Sequence, residues 1–463
     1  MDVYLSAFTP SPEISKRLTM PNEAPKNFAS PLPFGLWSAT FLVVANMIGA
    51  GVFTTSGFSL ADLGDRQYVM LAWLIGSIIA ICGAISYGQL AQRITESGGE
   101  YLFLSRMVHP AVGFVAGWVS LLAGFTGAIA FAATAFESYA IPEPIRPSWF
   151  QPGMAGIASI LVFGLLHSIV LKTGLLTQNL VVVFKLVLLA VFVAIAFSYY
   201  PSGWEGMSIE TEPVPFSIYA LASTLVWISL SFSGFNAAVY ITGEVDNPKK
   251  NVPRSLLIGT LVTSMLYLAL NCVFVYGAAP DNIKAVPDVA IAASQAIGGE
   301  RLALLIRVIV SVALLSSVSS MVVAGPRVYA KMAEDGVLPK LFNVNQLNQS
   351  SVPVAAIWLQ VILASVVVYF TTLKSLLDYL GFTLSVSAAL TVACIFWTRR
   401  AHDTSLQRLF FSGIAMIYVS ATLLLAILSA INRHQQLIGF AATAVSGLIL
   451  FCTIKALSKH RTA

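Results

Sequence analysis

Twelve apolar runs of membrane-crossing length divide this chain of 463 residues: 34–59, 68–92, 111–138, 152–172, 177–199, 215–243, 254–278, 303–331, 353–371, 376–397, 410–430 and 436–457. A helix needs about 20 apolar residues to cross the hydrocarbon core. In that medium no water satisfies a free N–H or C=O, so each run must satisfy its own backbone as helix. The expected fold class is an all-α polytopic membrane protein with 12 transmembrane helices. Composition agrees, since 57% of the residues are hydrophobic and only 10% charged, too few charges for a soluble surface of this size. No separate soluble domain fits between the runs; the longest gaps are 1–33, 279–302 and 332–352.

The segment 1–33 is polar and Pro-rich and lacks the basic start, apolar core and small-residue cleavage site of a secretory signal. It reads as a cytoplasmic tail. Cys82, Cys272, Cys394 and Cys452 all lie in apolar runs, without metal-ligand spacing, and read as small packing residues. With the head in the cytoplasm, eighteen of the 26 Lys and Arg residues fall on the inner side, seven fall on the outer side, and Lys185 sits inside a span. That excess predicts both termini inside. It also accounts for the net charge of +5 without a nucleic acid partner.

The first run contains "VANMIGAGVF", Val44–Phe53, in which Gly49 and Gly51 flank Ala50 at mid-span. Two readings are open. Small residues let helices pack closely in lipid. Alternatively the helix is broken, as in carriers that interrupt two spans at the midplane to bind substrate with freed backbone groups. The second reading requires a matching break elsewhere. The sixth run supplies one, with Ser231, Ser233, Gly234 and Asn236 in "LSFSGFNAAVY". Each break opens a set of five runs, the expected trace of an inverted repeat.

Four stretches then resemble the amino acid–polyamine–organocation superfamily. They are "MIGAGVF" in the first run, "GGEYLFLSRMVHPAVGFVAGW" (Gly98–Trp118), "GEVDNPKKNVPRSL" after the sixth, and "GPRVYAKMAEDGVLP" (Gly325–Pro339). "SGFN" is similar to the stretch in L-type neutral amino acid transporters, with Asn236 at their asparagine. The resemblance implies a secondary carrier with broken helices 1 and 6. Its parts would be a tail (1–33), a first repeat (34–199), a second repeat (215–397), two extra helices (410–457) and a tail (458–463). It implies no enzyme activity, no cofactor and no metal.

By the same resemblance, the substrate carboxylate would meet the amides of Ala50 and Gly51, and its ammonium the carbonyls of Met47, Leu230 and Ser233. The unpaired N–H groups and positive dipole end of a half-helix suit a carboxylate, and the unpaired carbonyls of the other halves suit an ammonium. Gly49, Phe232, Gly234 and Asn236 complete the expected site. Ala50 replaces a serine common in relatives, and Leu230 replaces an aromatic residue thought to close over the substrate, leaving Phe232 or Trp227 as alternative gates.

Lys185, in "VVVFKLVLL", has two readings, snorkelling to the inner interface or a functional amine facing the bundle. Relatives with this pattern place the amine where sodium-coupled cousins bind sodium. Its expected partners are carbonyls near Gly49 and hydroxyls among Ser316, Ser317, Ser319 and Ser320, either for proton-linked gating or as the fixed charge of an exchanger. Glu244 and Asp246 read as a solvated helix end, His167 as interfacial, Arg327 and Asp335 as fixing a loop or inner gate, and Trp118, Trp149, Trp204 and Trp397 as interface belts.

The expected function is proton-coupled transport of neutral amino acids across the plasma membrane. The alternatives are an amino acid exchanger, a polyamine or organic-cation carrier, and, from other classes, a channel or membrane enzyme. A polyamine site would need acids at cavity depth, and runs 1, 3, 6, 8 and 10 carry almost none, Glu137 and Asp378 lying near outer ends. No nucleophile cluster or phosphate-binding loop supports an enzyme. Some relatives attach a heavy chain through a cysteine between the third and fourth spans; "YAIPEPIRPSWFQ" has none, so no disulfide-linked partner is expected.

Overall fold

The computed structural model describes residues 34–142, 146–169, 174–204, 215–342, 354–396 and 405–462. The expectations for the head and for Trp397 lie outside them. The protein is all-α. Its helices are α1 (Leu36–Met47), α2 (Ala50–Leu63), α3 (Arg66–Arg93), α4 (Gly99–Met107), α5 (Pro110–Val119), α6 (Ala128–Ala140), α7 (Met154–Ile169), α8 (Gly174–Ser198), α9 (Ile218–Ser231), α10 (Pro248–Gly277), α11 (Pro280–Ile283), α12 (Val289–Glu334), α13 (Val354–Phe370), α14 (Leu373–Ala393), α15 (Ser405–Asn432) and α16 (His434–Thr462). Among the described residues, nine helices are long and apolar enough to cross a membrane, and α7, α9 and α13 are shorter apolar helices.

Local chemistry sets several boundaries. The Asp65 side chain caps α3 by accepting from the Gln67 amide at 2.6 Å. Thr372 and Ser375 form a capping box on α14. Pro110 and Pro248 open α5 and α10, where a missing N–H costs nothing.

Helix also continues outside the apolar runs: in the gap 279–302, α12 starts at Val289 and kinks at Gly298–Gly299. The stretch after the second run is also helical, as α4. Trp204 is not an interface residue: it is buried against Phe197 and Tyr200, and its indole donates to the Ala196 carbonyl at 2.9 Å.

Both central interruptions are present. α1 ends at Met47, Gly49 is extended, and α2 restarts at Ala50. α9 ends at Ser231, Gly234 takes φ +100°, and a tight 3-10 segment runs from Ala237 to Glu244. The two breaks face each other. A Cβ on Gly234 would stand 2.7 Å from the Asn46 carbonyl carbon, and one on Gly51 would stand 2.6 Å from Ser231 Cα. Glycine is required for close approach at Gly51 and also for a left-handed backbone at Gly234. Phe34 then ties the start of α1 to the end of the 3-10 segment, its amide donating to the Glu244 carbonyl at 2.9 Å and its carbonyl accepting from Asp246 at 3.0 Å.

Candidate functional site

Breaking a helix frees backbone groups, and here they surround a cavity of about 170 Å³. All nine residues expected to bind substrate line it: Met47, Gly49, Ala50, Gly51, Leu230, Phe232, Ser233, Gly234 and Asn236. No side chain caps the amino terminus of α2, and its first amides have no acceptor within the helix. That end offers donors and the positive pole of a dipole to an anion.

The carbonyls are less free than expected. Met47 O already accepts from the Gly49 amide at 2.8 Å and from the Tyr267 hydroxyl at 2.5 Å. Leu230 O accepts from the Ser233 amide at 2.9 Å. Tyr267, on α10, also lies 3.0 Å from Ser231 O, so one hydroxyl bridges the ends of both first halves. Sequence reasoning missed Tyr267, because nothing in α10 marks which of its residues faces the breaks.

The opposite wall comes from the third span. It includes Gly124, Phe125 and Ala128, where the helix widens into a π segment over Ser120–Gly127, a distortion common at functional sites. Phe232 packs against Tyr267 and Trp73, with ring centroids 5.1 Å and 6.0 Å apart.

Lys185 is buried at 2% exposure. Its amine donates to Ile48 O at 3.0 Å, within the break of the first span, and to Ser316 Oγ at 3.3 Å on α12. Ser317 Oγ donates to the same Ile48 carbonyl at 2.9 Å. Ser319 and Ser320 are not brought to the amine: Ser319 bonds His167 Nε2 at 2.8 Å and Ser320 donates to Ser317 O at 3.0 Å. His167 therefore links α7 to α12 and is stacked on Phe163.

The cavity runs toward the end of the bundle marked by Phe34 and Arg327. There Arg327 pairs with Glu244 at 3.2 Å, so Glu244 is not merely solvated, and Asp335 accepts from the Tyr101 hydroxyl at 2.7 Å. Near the end of α2 lies an ion-pair cluster. Arg433, in the turn between α15 and α16, binds Asp62 at 2.6 Å, reaches Asp378 at 3.8 Å and lies over the Trp227 ring at 4.6 Å. Trp227 donates to Asp378 at 2.8 Å and packs edge-on to Phe58. Trp227 thus belongs to this cluster, while Phe232 lines the cavity.

One cavity acid also escaped the sequence reading. Glu100 lines the cavity from α4, which corrects the expectation of a wall without acids. The signal is the "GGEY" stretch, which lies between the second and third runs.

A family model described as "Amino acid permease" matches residues 34–452. The chain is 24% identical over 368 residues to the large neutral amino acids transporter small subunit 2 of Homo sapiens, covering 78% of this chain and 68% of that one. It is 24% identical over 379 residues to the serine/threonine exchanger SteT of Bacillus subtilis (strain 168), covering 79% and 83%. Among solved structures, MhsT in complex with L-phenylalanine has the same kind of fold, with a TM-score of 0.58 at 14% identity over 88% of this chain and 100% of that one.

Proposed function

The chain belongs to the amino acid permease family, and from that premise we propose that it is a secondary active carrier of neutral amino acids, coupled to protons and working by alternating access. It is an amino acid transporter and not an enzyme. The observation that carries the finer reading is the meeting of two helix breaks around one cavity, with the uncapped start of α2 exposed to it. In this reading the amides of Ala50 and Gly51 hold the carboxylate. The ammonium meets Ser233 O and the second lone pair of Leu230 O, and it reaches Met47 O by taking the place of the Tyr267 hydroxyl there. Phe232, Asn236 and the wall from Gly124 to Ala128 hold the side chain.

The architecture we propose has twelve crossings, α7, α9 and α13 included, with repeats at 34–199 and 215–397 and two extra helices at 410–457. Both termini lie in the cytoplasm of a plasma membrane, or of the inner membrane in a bacterium, from the Lys and Arg excess on that side. The cavity then faces the cytoplasm and the Arg433 cluster shuts the outside. No disulfide-linked heavy chain is part of this reading, because the outer loop 139–151 carries no cysteine. Exchange is the second reading, favoured by a relative named as a serine/threonine exchanger.

Radiolabelled uptake into proteoliposomes tests the function. Saturable, stereoselective uptake is the expected outcome, and an unsaturable current would make the protein a channel. Competition should rank leucine-like and alanine-like amino acids above lysine, arginine and spermidine; inhibition by spermidine alone would promote the organic-cation reading. Loading the vesicles with substrate separates exchange, which requires it, from net uptake.

The closed end gives a further expected result. Arg433→Gln removes the cation shared by Asp62, Asp378 and the Trp227 ring. Leu225→Cys, in the cavity wall, should then react several-fold faster with an impermeant maleimide added outside, over the background of the four native cysteines. Equal reaction with and without Arg433 would show that the outer closure does not depend on it.

A further inference from the structure

Glu100 is the only carboxylate among the described residues that line the cavity, and it is buried at 5% exposure. Its Oε1 accepts from the Tyr87 hydroxyl at 2.5 Å and from Asn236 Nδ2 at 3.3 Å, while Oε2 accepts from Ser387 Oγ at 3.2 Å. The titratable groups facing it are tyrosines: Tyr87 on α3, Tyr240 on the 3-10 segment and Tyr418 on α15. The cations of the neighbouring elements are engaged elsewhere. Arg327 pairs with Glu244 at 3.2 Å, Lys331 with Glu334 at 3.2 Å and Asp335 at 3.5 Å, and Arg106 with Glu96 at 3.6 Å, while Arg93 donates to Ile395 O at 3.4 Å.

A buried carboxylate without a counter-charge is costly, and it relieves that cost by taking a proton. Burial raises the Glu100 carboxyl above the ordinary carboxylate range, against the lowering effect of the bonds from Tyr87 and Ser387. The network accepts the proton without losing a bond. A hydroxyl both donates and accepts, so Ser387 can receive a bond from a protonated Oε2 while Tyr87 and Asn236 continue to donate to Oε1.

We propose that Glu100 is the proton-exchanging group of this carrier. The inference rests on the transport reading above and supplies its coupling site. In the empty cavity, water and the three donors support the carboxylate. A bound amino acid displaces that water, so Oε2 takes a proton from the face then open. On the other face substrate leaves, water returns, and the O–H bond gives its proton to that water. By linkage the bound substrate tightens proton binding and the proton tightens substrate binding by the same factor. Asn236, two residues past Gly234, reports the charge to the break, since its bond to an ionised oxygen is about twice as strong as to a neutral one.

Proteoliposomes carrying an internal pH dye test this. Wild-type protein should acidify the lumen when a neutral amino acid is added outside. Glu100→Gln should lose that acidification, while counterflow of labelled substrate stays measurable and becomes flat across pH. Tyr87→Phe, a second variant, removes a donor to the ionised form; the carboxyl then holds its proton to higher pH, and the alkaline limb of transport should move up by about one unit. Acidification and a wild-type pH profile in Glu100→Gln would overturn the proposal. So would wild-type counterflow with no acidification, which leaves the carrier reading standing. Absence of counterflow for every amino acid in the wild type would take down both. A profile flattened by Lys185→Ala and untouched by Glu100→Gln would assign the proton to the amine instead.

Discussion

Gly51→Val reaches the membrane but takes up amino acid at close to background rate. A Cβ at this position would stand 2.6 Å from Ser231 Cα and 2.8 Å from its Cβ. Those atoms belong to the end of α9, so no flexible side-chain tip can yield. Overpacking of this kind costs about 1–3 kcal/mol, absorbed by pushing α2 away from α9. The two breaks that share the cavity then separate, and the amides of Ala50 and Gly51 move off the carboxylate position. Because the clash is local, the other spans still pack, so the protein should be present at near-normal amount. Uptake, normalised to protein in the membrane, and substrate-dependent thermal shift measure the two sides of this expectation. A purified Gly51→Val protein that binds substrate with wild-type affinity would show that the site is wrongly placed.

Lys185→Ala lowers uptake by about tenfold or more. Hydrogen bonds to charged groups contribute about 1.5–3 kcal/mol, and 1.4 kcal/mol is tenfold. The amine joins Ile48 O in the break to Ser316 on α12. Without it, Ser317 alone holds that carbonyl, at 2.9 Å. Lys185→Met separates the donor from its stem: methionine fills most of the same apolar space and donates nothing. Loss of uptake in both variants assigns the effect to the amine. Wild-type rates in Lys185→Met would make this residue a packing stem and remove it from the coupling machinery.

Much of the fold was legible because lipid restricts the choices. Apolar runs of about 20 residues can only be helix there, and the runs at 68–92 and 254–278 are close to the observed Arg66–Arg93 and Pro248–Gly277. The breaks were legible too, because Gly49 and Gly234 are expensive in a helix interior and each stood in the first of five runs. The run method failed where helix continues outside the apolar core. The stretch 289–299 carries polar residues and a double-glycine kink, and α4 is short. Trp204 was misplaced because a tryptophan near a span end suits an interface and a buried turn equally well in one dimension.

The candidate site divides along the same line. Backbone positions at Ala50, Gly51 and Ser233 follow from the glycines beside them. Side chains arriving from other helices do not. Tyr267 comes from α10, Glu100 from α4 and Arg433 from the turn after α15, and each meets residues far away in the chain.

By itself, the sequence determined that this chain is a helical membrane protein, that two of its spans are interrupted, and that Lys185 is an amine inside a span. Hydropathy and glycine placement are local properties, and local properties survive in one dimension. Only the tertiary structure decided what fills the space between the breaks. It put a tyrosine hydroxyl on the Met47 carbonyl, an amine on Ile48 and an acid in the cavity wall. The reason is geometric: each helix presents several faces, and only packing against its neighbours selects which one meets the cavity.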